Sequence, residues 1–201
     1  MNMPFLPKAL MGALILANAL FIALLMVHKP REATSKSRGS RAVMVGVILQ
    51  TLSYPAAWLA GRPGINPFRG KGGAWEGAWI EILVALLSVL AAYASVLFFA
   101  SVKKHLGKHW ALGARVVEGH ELVTDGPYAR VRHPLYLAML GLLAGAMIGV
   151  SSLAGAIAAL VAFTAGTALR VRAEDRLLAE TFGAKFEEYR KRVPAFIPKP
   201  R

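Results

Sequence analysis

The sequence predicts an all-helical integral membrane protein of five spans, with the last two forming a hairpin. Three observations carry this. The 201 residues are 56% hydrophobic with a mean hydropathy of +0.48, well above a soluble domain of this length. The charges are not interspersed but gathered between apolar runs, which reads as a polytopic chain rather than one large soluble core. The longest of these runs, Leu135 to Leu169, is too long for a single crossing.

The spans follow in order. Lys8 precedes the stretch Ala9–Val27, which is too long for a signal-peptide core and is followed by no clean small-residue cleavage site, so it is expected to be a retained first span. The second span is expected at Ala42–Ala60, after a polar linker at Arg31–Arg41, and the third at Trp79–Val102, with Trp75 and Trp79 as interfacial anchors. Each is close to the roughly 20 residues needed to cross a hydrocarbon layer of about 30 Å. Within the fourth block, Gly149-Val150-Ser151-Ser152 permits a tight turn, which divides it into Pro134–Ile148 and Ser152–Arg170. The first of these is short and is expected to be tilted or shielded by protein.

Lysines and arginines set the orientation. Five lie between spans one and two, six between spans three and four, and nine from Arg170 at the end of span five onward, so that 20 of the 24 fall on one side. By the positive-inside rule that side is cytoplasmic, which puts the N-terminus outside and the C-terminus inside. The same rule accounts for the net charge of +13 without a nucleic-acid partner. With no cysteine, the chain has neither disulfides nor a cysteine nucleophile nor a cysteine-ligated metal, and no metal is expected.

Two polar segments flank the hairpin on the expected cytoplasmic side. The first is GHELVTDGPYARVRHPLY. Asp125-Gly126-Pro127 is a turn signal, and His133-Pro134 marks a helix start, because proline at the first helical position loses no hydrogen bond. A helix N-terminus flanked by Arg130, Arg132 and His133 suits an anionic group such as a carboxylate, and Tyr128 and Tyr136 offer aromatic faces. At a membrane boundary the same residue types also serve as headgroup contacts and aromatic belt; the whole string, with its turn and helix start, favours a site.

The second segment is RVRAEDRLLAETFGAKFEEYRKRVPAFIP. Arg170 and Glu174, four apart, can pair on one helix face, and Arg172 and Asp175, three apart, on another. Leu178, Phe182, Phe186, Tyr189 and Val193 recur at three- and four-residue steps and form an amphipathic stripe expected to pack on the membrane surface or under the loop.

Together the two segments resemble the isoprenylcysteine carboxyl methyltransferases and the related phospholipid N-methyltransferases. Their pattern of Arg-His-Pro-x-Tyr-x-Gly, hydrophobic hairpin and acid pair stands here as Arg132-His133-Pro134-Leu135-Tyr136-Leu137-Ala138, Leu140–Leu169 and Glu174-Asp175. LVTDGPY at Leu122–Tyr128 and FGAKFEEYRKRVP at Phe182–Pro194 are also similar, so the likeness covers about residues 105–200. Ala138 departs from the usual glycine, and Asp175 from a second glutamate with a longer reach.

Composition and hydropathy predict a single membrane domain, in which 1–104 supplies three spans, and the resemblance makes 105–201 a methyltransferase-like half. The resemblance implies S-adenosylmethionine as methyl donor, held in a cytoplasmic pocket by the loop and the C-terminal helix: Leu122, Val123, Tyr128, Arg132, His133 and Tyr136 would line the pocket and Glu174 would close it. Arg170 or Arg172 would orient an acceptor carboxylate, and Glu174 would orient that arginine or act as base toward an amine. The resemblance implies a lipid-borne or hydrophobic acceptor reached through the surrounding membrane lipids; it favours a prenylcysteine-like carboxylate, while the residues themselves leave a phospholipid amine or a small thiol open. A nicotinamide-dependent sterol or isoprenoid reductase would need about twice as many spans, and a transporter would be expected to carry charges near mid-membrane, where these spans have none.

Overall fold

The protein's structure is a computed structural model that describes residues 6–27, 41–59, 78–107 and 121–197, all helix, turn or extended connection. Among the described residues six α-helices follow one another: α1 (Leu6–Met26), α2 (Arg41–Leu59), α3 (Ala78–Leu106), α4 (Pro134–Gly149), α5 (Leu153–Phe182) and α6 (Ala184–Arg192). Four of them, α1, α2, α3 and α5, are long and apolar enough to cross a membrane, and the chain is an integral membrane protein. The expected linker, Trp75 and the middle of the loop after α3 lie outside the described residues, whereas Trp79 stands exposed at the start of α3.

α4 is the centre of the bundle. At 16 residues it is about 24 Å long at 1.5 Å per residue, short for a crossing. It packs on α3 along one side and meets α2 on the other. Half of its residues are buried, including Tyr136, Leu142, Leu143 and Ala146, while the large exposed hydrophobics sit on the outer faces of α1, α2, α3 and α5. A short apolar helix shielded on both sides has little lipid thickness to match. Two apolar clusters meet on it. One joins Leu14, Phe21, Phe99 and Leu142 from α1, α3 and α4, with Phe21 stacked on Phe99 at 4.4 Å; the other joins Ala57, Leu143, Ala146, Ala159 and Phe163 from α2, α4 and α5.

Small residues set the closest crossings. A Cβ on Gly145 would fall 2.8 Å from the Ser88 carbonyl of α3, and the Ser88 hydroxyl donates to the Gly145 carbonyl at 2.6 Å. A Cβ on Gly166 of α5 would fall 2.6 Å from the Gly46 carbonyl of α2. Without water, helices gain from backbone approach and from polar cross-links of this kind rather than from hydrophobic burial. The Tyr54 hydroxyl likewise donates to the Met139 carbonyl at 2.9 Å, and Lys103 of α3 donates to the Leu24 carbonyl near the end of α1.

The expected hairpin turn is found, with Ser152 capping α5 by accepting from the Gly155 amide at 3.1 Å. Its two arms nevertheless touch each other sparsely: α5 packs mainly on α2, and α4 on α3. The helix expected over Ser152–Arg170 extends further in the structure. α5 runs unbroken to Phe182, with neither proline nor glycine between Arg170 and Gly183, whose φ of +52° turns the chain into α6. The acid pair therefore rides on the same rigid rod as the span. The amphipathic stripe is accordingly divided between two helices, with Phe186 and Tyr189 buried and Leu178 and Phe182 only partly so.

Candidate active site

The site forms where α4 begins and α5 passes. Pro134 occupies the first helical position and His133 precedes it as N-cap, making no side-chain cap bond of its own. The backbone amides just before the helix anchor the C-terminal strap: the Arg132 amide donates to the Pro194 carbonyl at 2.9 Å and the His133 amide to the Ala195 carbonyl at 3.1 Å. The Arg132 Nη1 donates to the Val193 carbonyl at 2.6 Å, and the Tyr189 hydroxyl donates to the Tyr128 carbonyl at 2.7 Å. The turn Gly126–Ala129, expected from Asp125-Gly126-Pro127, is a single 3-10 turn whose glycine combines φ +54° with the His105 ring packed directly against it.

From α5, Asp175 reaches back to this helix start. Its Oδ2 accepts from Arg132 Nη2 at 3.0 Å and its Oδ1 from His133 Nε2 at 2.9 Å. On the other side of the imidazole, Glu174 Oε2 lies 3.4 Å from His133 Nδ1. Glu174 Oε1 accepts a hydrogen bond from the Tyr136 hydroxyl and lies 3.8 Å from Arg170 Nη2. The Arg170 guanidinium in turn sits 5.0 Å over the Tyr136 ring. With a carboxylate at each ring nitrogen, His133 suits the doubly protonated form. Burial opposes that charge, but the hydrogen bonds and negative charge of Asp175 and Glu174 outweigh it and raise His133 above its ordinary value. Burial also raises the Tyr128 hydroxyl, aided by the nearby Glu174 charge, and raises that of Tyr189, so both phenols stay protonated.

The helix start was expected to await an external anion. The anions beside it are the chain's own Asp175 and Glu174, because the uninterrupted α5 carries them there. Of the residues singled out from the sequence, Arg132, His133, Tyr136, Arg170 and Glu174 are brought together, and Tyr128 lies near enough to feel the Glu174 charge. Leu122 and Val123 are partly buried in the extended segment before the turn. Arg172 is exposed, two residues from both Arg170 and Glu174 and so on the opposite face of α5, and its expected partner Asp175 is held by Arg132 and His133 instead. Arg130 is exposed as well.

Asp175 carries more of the cluster than its shorter side chain suggested: from α5, a carboxylate on one methylene closes on both partners. Sequence reasoning missed Gln50 altogether. It lies in the middle of α2, 1% exposed, and its Oε1 accepts from Arg170 Nη1 at 2.7 Å. The signal was present, since an amide inside an apolar span is costly unless it has a partner.

Two buried nitrogens of the cluster, Arg132 Nε and Arg170 Nε, have no hydrogen-bond partner among the described residues. Unsatisfied buried donors of positive groups suit an anionic or polar ligand. Beside them are two phenol rings, which suit a cation or a flat base, and the Glu174 carboxylate, which suits an ammonium. Such a mixed set fits a zwitterionic nucleoside-bearing donor.

A helical membrane bundle with a compact basic–acidic–aromatic cluster at one end of its central helix is thus the class that fold and site define. The chain belongs to the isoprenylcysteine carboxyl methyltransferase family, whose pattern it matches over residues 83–180, from within α3 to near the end of α5. It is 30% identical over 142 residues to protein-S-isoprenylcysteine O-methyltransferase B of Arabidopsis thaliana, covering 58% of this chain and 72% of that protein. It is also 37% identical over 128 residues to the cobalt-zinc-cadmium resistance protein CzcN of Cupriavidus metallidurans, covering 62% of this chain and 54% of that protein. To methanethiol S-methyltransferase 2 of Bradyrhizobium diazoefficiens it is 33% identical over 132 residues, covering 61% of this chain and 47% of that protein. The chain thus spans about half the length of these last two relatives.

Proposed function

We propose that the protein is a methyltransferase that uses S-adenosylmethionine to methylate a hydrophobic or lipid-borne acceptor, a prenylcysteine-like carboxylate being favoured, at the cytoplasmic membrane face. The observation that carries the reading is the convergence of Arg132, His133, Tyr136, Arg170 and Glu174 at the end of an apolar bundle. The orientation rests on the lysine and arginine distribution, which puts α4 among five crossings and the cluster on the inner side.

When bound, S-adenosylmethionine supplies a methyl group already activated by its sulfonium. The chain's own residues then have to bind, align and exclude water. Arg170 and Arg132 offer their unpartnered Nε donors to carboxylates, one on the donor and one on the acceptor. Tyr128 presents an aromatic face, Tyr136 beneath Arg170 orients that guanidinium and Glu174 at the pocket, and Leu122 and Val123 form the apolar rim. His133, bridging Glu174 and Asp175, locks α4 to α5 so that the cluster keeps its shape.

A carboxylate acceptor is ionised at neutral pH and needs no proton removed. Both Glu174 oxygens already face Tyr136, Arg170 and His133, which suits an orienting carboxylate better than a free base. This favours a carboxylate over a phospholipid amine, for which Glu174 would have to act as base. The likeness to a methanethiol S-methyltransferase supports a small thiol as the second reading.

The test is methyl transfer from labelled S-adenosylmethionine to a panel of a farnesylated N-acetylcysteine, phosphatidylethanolamine and methanethiol. Transfer to the farnesylated carboxylate, abolished in Glu174→Gln and His133→Ala with membrane insertion intact, is expected. Near-wild-type activity in both variants would overturn the site.

A further inference from the structure

Arg170 is held from a direction that the acid pair does not explain. Its Nη1 donates at 2.7 Å to the Gln50 Oε1, and the Gln50 amide nitrogen donates at 2.7 Å to the Thr167 hydroxyl, one turn before Arg170 on α5. These two contacts fix the amide's sense: reversed, its NH₂ would face the guanidinium, donor against donor. Gln50 is 1% exposed on the inner face of α2, whose other buried residues are the small Gly46, Ser53 and Ala57, while Val47, Ile48 and Leu52 face outward. It is brought in by the Gly46–Gly166 crossing, where a Cβ on Gly166 would also lie 3.0 Å from the Gln50 side chain.

Interhelical hydrogen bonds add little to stability in a membrane, and leucine would suit this span better. Stability alone therefore gives a weak account of the amide. What Gln50 does fix is the side chain of Arg170, which continues to Glu174 and from there to Tyr136. α2 also lies outside the segment that matches the family, residues 83–180.

We infer that Gln50 is a positioning residue of the methyl-transfer site, acting through Arg170 on the Glu174 end of the donor pocket. The inference rests on the methyltransferase reading above. It adds a role for the N-terminal half of the chain: α2 sets the geometry in which α5 presents Arg170 and Glu174.

The test is calorimetric titration of the full chain in detergent with S-adenosylhomocysteine, alongside thermal melts. In Gln50→Leu, binding is expected to weaken by about tenfold, the scale of one hydrogen bond to a charged group, while the melt is kept or improved. Gln50→Glu retains an acceptor for Arg170 and can take its second bond from the Thr167 hydroxyl, so it is expected to restore most of the binding. Thr167→Val leaves Gln50 in place but frees its amide, and is expected to weaken binding by less than Gln50→Leu. It decides the matter should Gln50→Leu fail to fold.

Wild-type affinity in a folded Gln50→Leu, or in Thr167→Val where Gln50→Leu does not fold, would overturn the inference. So would parallel losses of melt and binding that Gln50→Glu fails to reverse, since those mark a purely structural role. Failure of the wild-type protein itself to bind would overturn the methyltransferase reading, and the inference with it.

Discussion

Replacing Asp175 by alanine tests how the cluster is held. The carboxylate accepts two charge-assisted hydrogen bonds, from Arg132 at 3.0 Å and from His133 at 2.9 Å. Each such bond contributes about 1.5–3 kcal/mol, and breaking a buried ion pair by removing one partner costs about 3–5 kcal/mol. The side chains are 10% exposed for Arg132, 4% for His133 and 17% for Asp175, so little water can replace the carboxylate. Arg132 keeps its bond to Val193 and His133 keeps Glu174, which brings the expected cost to the low end, about 3 kcal/mol. Asp175→Asn retains an oxygen acceptor and is expected to cost about half as much. Thermal denaturation in detergent measures the effect, at roughly 2–4 °C per kcal/mol for a chain of this size. Limited proteolysis after Phe182 reports whether the C-terminal strap comes loose from Arg132 and His133. A melt for Asp175→Ala within a degree of wild type, with unchanged proteolysis, would refute the claim that this carboxylate ties α5 to the start of α4.

Three other outcomes follow from the geometry. The charged form of His133 is favoured in the folded state, so the stability it contributes is fully present below its ordinary value of 6.5 and is lost as pH rises through its raised value; melts against pH should decline on that alkaline side, and His133→Asn should remove the decline. Gly166→Leu should push α2 from α5, because even a Cβ would meet the Gly46 carbonyl at 2.6 Å; a loss of about 1–3 kcal/mol or more is expected, together with lost donor binding, and an unchanged melt would contradict the close crossing. Arg172→Ala, on the exposed face, should change stability by no more than about 0.5 kcal/mol and leave methyl transfer intact, whereas Arg170→Ala should abolish it; equal effects in a transfer assay would contradict the placement of the two arginines.

The apolar helices were legible because length and hydropathy suffice to mark them: the predicted starts at Ala42, Trp79 and Pro134 lie within one residue of the helices, and four of the five expected spans are long and apolar enough to cross. The helix start at Pro134 was legible for a local reason, the fixed φ of proline. What was not legible lies between helices. Nothing along the chain says that α5 packs on α2 rather than on its hairpin neighbour, since that pairing depends on Gly46 meeting Gly166 across more than a hundred residues. The end of α5 was placed at Arg170 because charge was read as the end of the span; a helix can leave the apolar layer without stopping, and only Gly183 breaks it. The pairing of Arg172 with Asp175 followed from spacing alone, and the spacing allowed it. Two cations on another helix compete for the same carboxylate, however, and there Asp175 can be buried. Gln50 was passed over because the search of the spans was for charges, while an amide with two fixed bonds serves equally well to aim an arginine.

The central claim is that this cluster binds a methyl donor. Calorimetric titration of the purified protein with S-adenosylmethionine and S-adenosylhomocysteine, with NADPH as control, addresses it most directly. Saturable binding of both methyl-donor compounds but not of NADPH, lost in Glu174→Gln and in His133→Ala at a temperature where each variant is still folded, is the predicted result. No binding by a wild-type protein with an intact melt would contradict the account and leave the family resemblance as one of architecture alone.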